Sequence, residues 1–114
     1  MVIKSVAVNR ITAEDAQRIG ADFVADNLGD QISAGPPWKV TSSFHAAWVV
    51  PLLFTSPGYG VVGIVGALIV DEELGAISAW TDKAEVEANV IRLTRNKVDE
   101  LESAFQRAMA GRRA

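Results

Sequence analysis

The sequence predicts a single α+β domain, in which an N-terminal helix precedes a curved antiparallel sheet of about four strands and a long C-terminal helix follows. Apolar residues recur at helical spacing near both ends of the chain. Between them the period drops to two, and from Val40 to Val70 there is no Asp, Glu, Lys or Arg. We expect residues 1–114 to form one domain, with residues 1–10 as an extra strand or flexible arm and residues 110–114 as a frayed tail.

Composition excludes several classes of site. Hydrophobic residues make up 49% of the 114 and charged residues 22%, as in ordinary folded proteins. Eleven basic against 14 acidic residues give a net charge of −3, which argues against nucleic-acid binding through phosphate contacts. The absence of cysteine excludes disulfides, thiolate zinc sites and cysteine nucleophiles, and a single histidine excludes sites that need two imidazoles.

The first helix is predicted over Ile11 to Leu28. Thr12 is a suitable N-cap with Asp15 three positions later, and Gly29 is a typical stop. The apolar side chains form one stripe, which comprises Ala16, Ile19, Phe23, Val24 and Leu28.

The middle of the chain predicts strands with two apolar faces. After a loop at Ser33 to Pro37, a half-exposed strand begins at Trp38. In the next strand one face comprises Trp48, Val50, Leu52 and Phe54 and the other Ala47, Val49 and Leu53; in the following one the faces are Val62, Ile64, Leu68 and Val70 against Val61, Val65, Ala67 and Ile69. Strands of this kind are normally covered on both sides. Pro51 is expected at an edge or a bulge.

A turn and a second helix complete the predicted fold. Residues 71–75 form a hairpin turn into a short strand that ends at Trp80. Thr81 or Asp82 can cap the last helix, whose apolar stripe comprises Val86, Val90, Leu93, Leu101, Phe105 and Ala108. Because almost thirty residues is long for a globular helix, a break near Thr94 to Asn96 is an alternative.

Neither a signal peptide nor a membrane helix is predicted. The first ten residues lack the apolar core of a signal peptide, so the expected location is cytoplasmic. Residues 46–70 are long enough to span a bilayer, but Pro51 and the Ser56 to Gly60 segment interrupt them and no basic cluster flanks them.

Candidate chemistry is weak in this sequence. The run from Gly58 to Gly63 matches a phosphate-binding G-x-G-x-x-G pattern, but its Val and Ile residues favour a hairpin and strand over a helix. His45 has apolar neighbours and no nearby acid along the chain, and Ser42 and Ser43 lack a nucleophile-elbow motif. We therefore predict no catalytic residue, cofactor site or metal site.

The residues expected to meet a partner are Tyr59, Asp71, Glu72, Glu73 and Trp80. Three consecutive acids on a strand and its turn cannot all face one ion, so they predict a solvated turn or a charged interaction tip. Tryptophan side chains can pack in the core or anchor a partner.

Several short segments share a spacing with a known family. These are Pro37 to Val40, Ala47 to Val50, Leu68 to Asp71 and Gly75 to Ile77. In this spacing the chain resembles, over about residues 12–90, the YrhB-like immunity-protein family of bacterial polymorphic-toxin systems. The resemblance implies a small cytoplasmic α+β protein that neutralises a toxin by binding, with no catalytic residue. Ala47 stands where the family usually has glycine, and the segment from Arg92 onward exceeds its usual short ending.

The sequence therefore predicts a non-enzymatic protein that acts through protein–protein contacts. We expect a homodimer that buries one sheet face, with the acidic turn and the C-terminal helix available to another protein, such as a toxin. The alternative is a small-molecule binding domain or a modest enzyme with a pocket in the curved sheet, using His45 with Asp71.

Overall fold

The computed structural model of the chain describes residues 10–42 and 46–111. It confirms the α+β class. Along the chain, an N-terminal helix is followed by a curled antiparallel sheet and then by a long C-terminal helix. Residues 1–9 of the expected extra strand or arm and residues 112–114 of the expected tail lie outside the described residues. The elements are α1 (Ala13–Asn27), β1 (Ile32–Ala34), β2 (Trp38–Thr41), β3 (Ala46–Ser56), β4 (Gly60–Asp71), β5 (Ile77–Trp80) and α2 (Lys83–Ala110).

Helix α1 begins as the sequence predicts. Thr12 Oγ1 accepts from the Asp15 amide at 3.1 Å, and the Asp15 carboxylate accepts from the Thr12 amide at 3.0 Å, which completes a capping box. At the other end the Leu28 amide donates to the Val24 carbonyl at 2.8 Å, and Gly29 follows with φ +90°. The predicted stop at Gly29 is confirmed, since this conformation favours glycine.

The sheet has five strands, with β3 and β4 at its centre. Strands β1 and β2 pair with successive parts of the same edge of β3, and β5 pairs with β4. The predicted loop at Ser33 to Pro37 is wrong in part, because β1 extends through Ala34 and leaves residues 35–37 as the connection.

Pro51 lies within the central strand β3, opposite Ala67. Ala67 bonds through its own amide and carbonyl to Thr81, so this pair needs no hydrogen bond from the proline. On the other side the Pro51 carbonyl accepts from the Gly35 amide at 2.8 Å, in the gap between β1 and β2. The missing N–H of Pro51 therefore leaves no donor absent from the ladder.

A register shift in β4 corrects the predicted faces. The sequence places Ile64 with Leu68 and Val70, and Val65 on the opposite side. In the structure Leu52 pairs with Gly66 and Leu53 with Ile64, so Val65 is an extra residue at a bulge. Val65 is buried with Leu68, whereas Ile64 is exposed.

Both helices cover the same face of the sheet. We call this the covered face; it includes Trp48, Val50, Leu52 and Phe54 of β3 and Leu68 and Val70 of β4. On α1, a methyl group at Gly20 would lie 2.9 Å from Val50 Cγ1. On α2, Leu93 Cδ1 would lie 3.0 Å from a methyl group at Gly63 of β4, and Asn89 Nδ2 donates to the Val65 carbonyl at 2.8 Å. The core thus lies between this face and the two helices, with Ala16, Val24 and Val86 among its buried residues.

Helix α2 is continuous over 28 residues, so the break considered near Thr94 to Asn96 is wrong. No glycine or proline interrupts the helix, which ends at Ala110 with Gly111 as its C-cap. Its first half packs on the sheet through Val86, Val90 and Leu93. From Val98 to Gly111 every residue is exposed. The radius of gyration is 19.2 Å, against about 13 Å for a compact chain of similar length. This agrees with a helix that extends beyond the body, by which we mean the sheet, α1 and the first half of α2.

Candidate functional site

The candidate site is the sheet face opposite the helices. We call it the outer face; it comprises Trp38, Val40, Val49, Pro51, Leu53, Ile64, Ala67 and Ile69, together with the ends of these strands. Strand pairing aligns these side chains because Trp38 lies opposite Val49, and Val49 opposite Ile69. The next row toward the hairpin joins Leu53 to Ile64. An apolar strip therefore crosses three strands, β2, β3 and β4.

The outer face is apolar and accessible. Trp38 is 74% exposed and Ile64 is 64% exposed, and Val40 is also exposed. The central residues, such as Val49 and Ile69, are half-buried. Among the described residues the charged group of this face is Asp71, at the end of β4. A strip of this kind is typical of a surface that meets another protein.

A buried acid occupies the opposite side of the same sheet end. Glu72 is only 4% exposed, so the predicted solvated turn is wrong for this residue. Lys39 Nζ lies 2.6 Å from Glu72 Oε2, and Arg10 Nη1 lies 3.8 Å from Oε1. Burial of the carboxylate is compensated by these two cations.

Glu72, Lys39 and Arg10, which we call the Glu72 cluster, join the start of α1 to the sheet. The Glu72 carbonyl accepts from the Ile11 amide at 3.0 Å, and Trp48 Nε1 donates to the Ile11 carbonyl at 3.3 Å. Lys39 Nζ also lies 5.7 Å from the centre of the Trp48 ring, within cation–π range. Both carboxylate oxygens face cations, so this arrangement acts as a structural clamp and not as an acid–base pair.

The other acidic residues of the turn have different roles. Asp71 Oδ1 accepts from the amides of Glu73 and Leu74 at 2.8 and 2.9 Å, which closes the β4–β5 turn. Glu73 is exposed, as the solvated-turn prediction requires. Asp71, Glu72 and Glu73 therefore diverge, and the described residues contain no group of three metal-ligating side chains.

The structure does not bring the five predicted interaction residues together. Tyr59 lies at the β3–β4 hairpin tip, at the opposite end of β4 from Asp71. Lys97 Nζ of α2 lies 6.0 Å from the Tyr59 ring centre. Trp80 pairs with Leu68 on the covered face, and its ring centre lies 5.8 Å from that of Phe23. These residues contact other parts of the chain in three separate places.

The hairpin at Tyr59 also accounts for the glycine-rich motif. Gly58 and Gly60 have φ +80° and +93°, and the Tyr59 amide donates to the Ser56 carbonyl at 3.1 Å. The segment is a tight turn into β4, as the valine content predicts, and it does not open a helix.

The covered face of the sheet is filled by the chain itself. Val50, Leu52 and Leu68 are fully buried beneath the two helices. A hollow of about 630 Å³ lies beside α1, where its lining includes Gln17, Arg18 and Ser33. His45, which the enzyme alternative pairs with Asp71, lies outside the described residues.

The sequence reasoning missed the most exposed residues of the outer face. The sequence leaves Trp38 open as a core or an anchor residue, and its alternation predicts Ile64 on the face of Leu68 and Val70, which is wrong because of the bulge at Val65. The available signal was the alternation of apolar residues on both sides of β3 and β4, which indicates that a second face needs cover.

Two further observations bear on the character of this chain. Within residues 10–42 and 46–111, no helix has the length and apolarity required to cross a bilayer. No family model, curated protein or solved structure matches the chain. The resemblance to the YrhB-like immunity-protein family, and the toxin partner that it implies, therefore stay predictions.

Proposed function

We propose that this chain is a non-enzymatic protein that acts through protein–protein contacts, and that its outer face packs against a second copy. The observation that supports the proposal is the apolar strip from Trp38 to Ile69, which neither helix covers. Contiguous exposed apolar patches usually belong to interfaces.

Symmetry favours a second copy as the occupant. A two-fold contact joins the same patch on both subunits, so the patch must complement itself. An apolar strip meets this requirement, because two apolar faces can pack at about 10 Å as in a β-sandwich. Trp38, at 74% exposure, is the largest side chain of the strip and is an anchor of the type enriched in interface centres.

The test compares charge insertion at two exposed apolar residues. Ile64→Glu places a carboxylate in the outer face, and Leu74→Glu places one at the β4–β5 turn, where Leu74 is 80% exposed. We expect Ile64→Glu to weaken association through the outer face by at least a hundredfold, because the charge would be buried without a partner. Leu74→Glu should leave it unchanged.

Sedimentation velocity over a micromolar concentration series measures this difference. Circular dichroism confirms that each variant retains the fold. A wild-type chain that stays monomeric and binds no apolar dye would contradict the proposal, as would equal association of Ile64→Glu and wild type.

A further inference from the structure

Helix α2 carries a second exposed, largely apolar surface between Ile91 and Ala108, separate from the outer face. We call it the α2 stripe; it comprises Ile91, Thr94, Val98, Leu101, Phe105 and Ala108. Ile91, Val98, Leu101 and Phe105 are all more than half exposed. The rest of the chain borders four of the six residues on one side: Ile91 lines a hollow beside Val90, and Thr94, Val98 and Leu101 line another beside Tyr59 of the hairpin tip. Phe105, at 59% exposure, lies further along the helix.

The spacing of the stripe is that of a coiled-coil seam. Ile91, Val98 and Phe105 follow one another at intervals of seven residues, and Thr94, Leu101 and Ala108 do the same three positions later. These are the two apolar positions of a heptad, which face a partner helix. A seam of this kind predicts a helical partner rather than an extended peptide.

We propose that the α2 stripe pairs with the α2 stripe of a second copy in antiparallel orientation. The arrangement that centres the pair between Val98 and Leu101 places Val98 opposite Leu101 twice. It also places Phe105 opposite Thr94 and Ile91 opposite Ala108, so in these two pairs a large side chain meets a small one. A parallel in-register pair would place Phe105 against Phe105.

Charge complementarity supports the same arrangement. Arg95 and Glu102 each follow a seam residue, and the antiparallel pair brings Arg95 of one copy near Glu102 of the other, twice. A parallel pair would instead use Lys97 with Glu102. Lys97 is already occupied within its own chain, because its Nζ lies 3.3 Å from Glu100 Oε1 and 6.0 Å from the Tyr59 ring centre.

The position of the two bodies also favours the antiparallel pair. Each body lies at the N-terminal end of its α2. An antiparallel pair separates the bodies to opposite ends, whereas a parallel pair places them side by side. The C-terminal end of each helix then reaches Ile91 of the other copy, which borders a hollow of about 400 Å³ lined by Leu28, Phe54 and Val90.

Single cysteines test the geometry, because the chain has none of its own. Val98→Cys and Leu101→Cys chains are mixed under mild oxidation, with one of them carrying a mass tag. We expect the 98–101 disulfide to exceed the 98–98 and 101–101 disulfides, since a disulfide requires Cβ atoms about 4 Å apart. Ser103→Cys, on the opposite side of the helix, should give none.

Two disulfide results would overturn the proposal. Dominant 98–98 and 101–101 disulfides would indicate a parallel pair. Disulfide yields no greater than that of Ser103→Cys would show that the stripe does not pair with itself.

A charge swap tests the complementarity. Arg95→Glu and Glu102→Arg should each weaken the helix contact by about tenfold, because two attractive pairs become repulsive. The double variant should restore the strength of the helix contact. If either residue had only a structural role within its own chain, the double variant would not recover association. A double variant weaker than either single variant would overturn the proposed ion pairs.

The helix contact and the outer-face contact fail independently. Phe105→Glu should remove the helix contact and leave association through the outer face, while Ile64→Glu should do the reverse. Sedimentation of the variant with both changes should give a monomer. If the cysteine variants form as much disulfide with Ile64→Glu as without it, the helix contact forms without the outer face. If adding Phe105→Glu to Ile64→Glu leaves the sedimentation profile unchanged, the helix contact is overturned.

Discussion

The two faces of the sheet are similar in sequence but differ in their surroundings. Both faces of β3 and β4 are apolar, yet Val50 and Leu68 on the covered face are fully buried, whereas Ile64 on the outer face is 64% exposed. The difference arises because both helices lie on one side. Apolar patterning therefore shows that a face needs cover, and the connections between elements decide whether the chain supplies it.

The largest expected effect separates the two faces by stability. Leu68→Ala should lower the free energy of unfolding by about 3 kcal/mol at every protein concentration, because it leaves a cavity in the core. Ile64→Ala should cost less than about 0.5 kcal/mol in the dilute monomer and more at high concentration, where a second copy covers the residue. Urea unfolding over a concentration series measures both; equal losses for the two variants would contradict the distinction.

An intermediate effect is expected at the Glu72 cluster, which closes one end of the covered face. Glu72→Gln should lower the free energy of unfolding by about 2 kcal/mol, because Lys39 and Arg10 lose their counter-charge. Glu73→Gln, one residue later and exposed, should change it by less than about 0.5 kcal/mol. Thermal and urea unfolding of the two variants give the comparison, and a neutral Glu72→Gln would contradict the clamp.

The smallest effect is expected at the first turn of α1, one of the two helices that pack on the covered face. The Thr12 backbone hydrogen bond lowers the pKa of Asp15 below its ordinary value of 3.8. The carboxylate therefore stabilises the fold above that value, and this contribution is lost as pH falls through the lowered pKa. Wild type should exceed Asp15→Asn in stability near neutral pH, with the difference shrinking in acid. A pH series of urea unfolding measures this, and a constant difference would contradict it.

Local patterns predicted most of the fold because capping and periodicity act over a few residues. The Thr12–Asp15 capping box and the hairpin turn at Gly58 to Gly60 are examples. The exchange of Ile64 and Val65 was not predictable, because a bulge depends on the register that β3 imposes. Burial of Glu72 was missed for the same reason: its partner Lys39 is distant in sequence.

The candidate site was only partly predictable. Two-sided apolar strands indicated an uncovered face, but not which residues would occupy it. The continuity of α2 was underestimated, because the length of an isolated globular helix is a poor guide where a distal segment presents a heptad seam.

The margins of the sheet limit how copies of this chain can associate. The central strands have 11 and 12 residues, whereas the outer strands have only three or four. Residues 35–37, with two prolines, separate β1 from β2 along one margin. Along that margin an incoming strand thus finds no long continuous backbone ladder to extend, which disfavours amyloid-like growth from that edge.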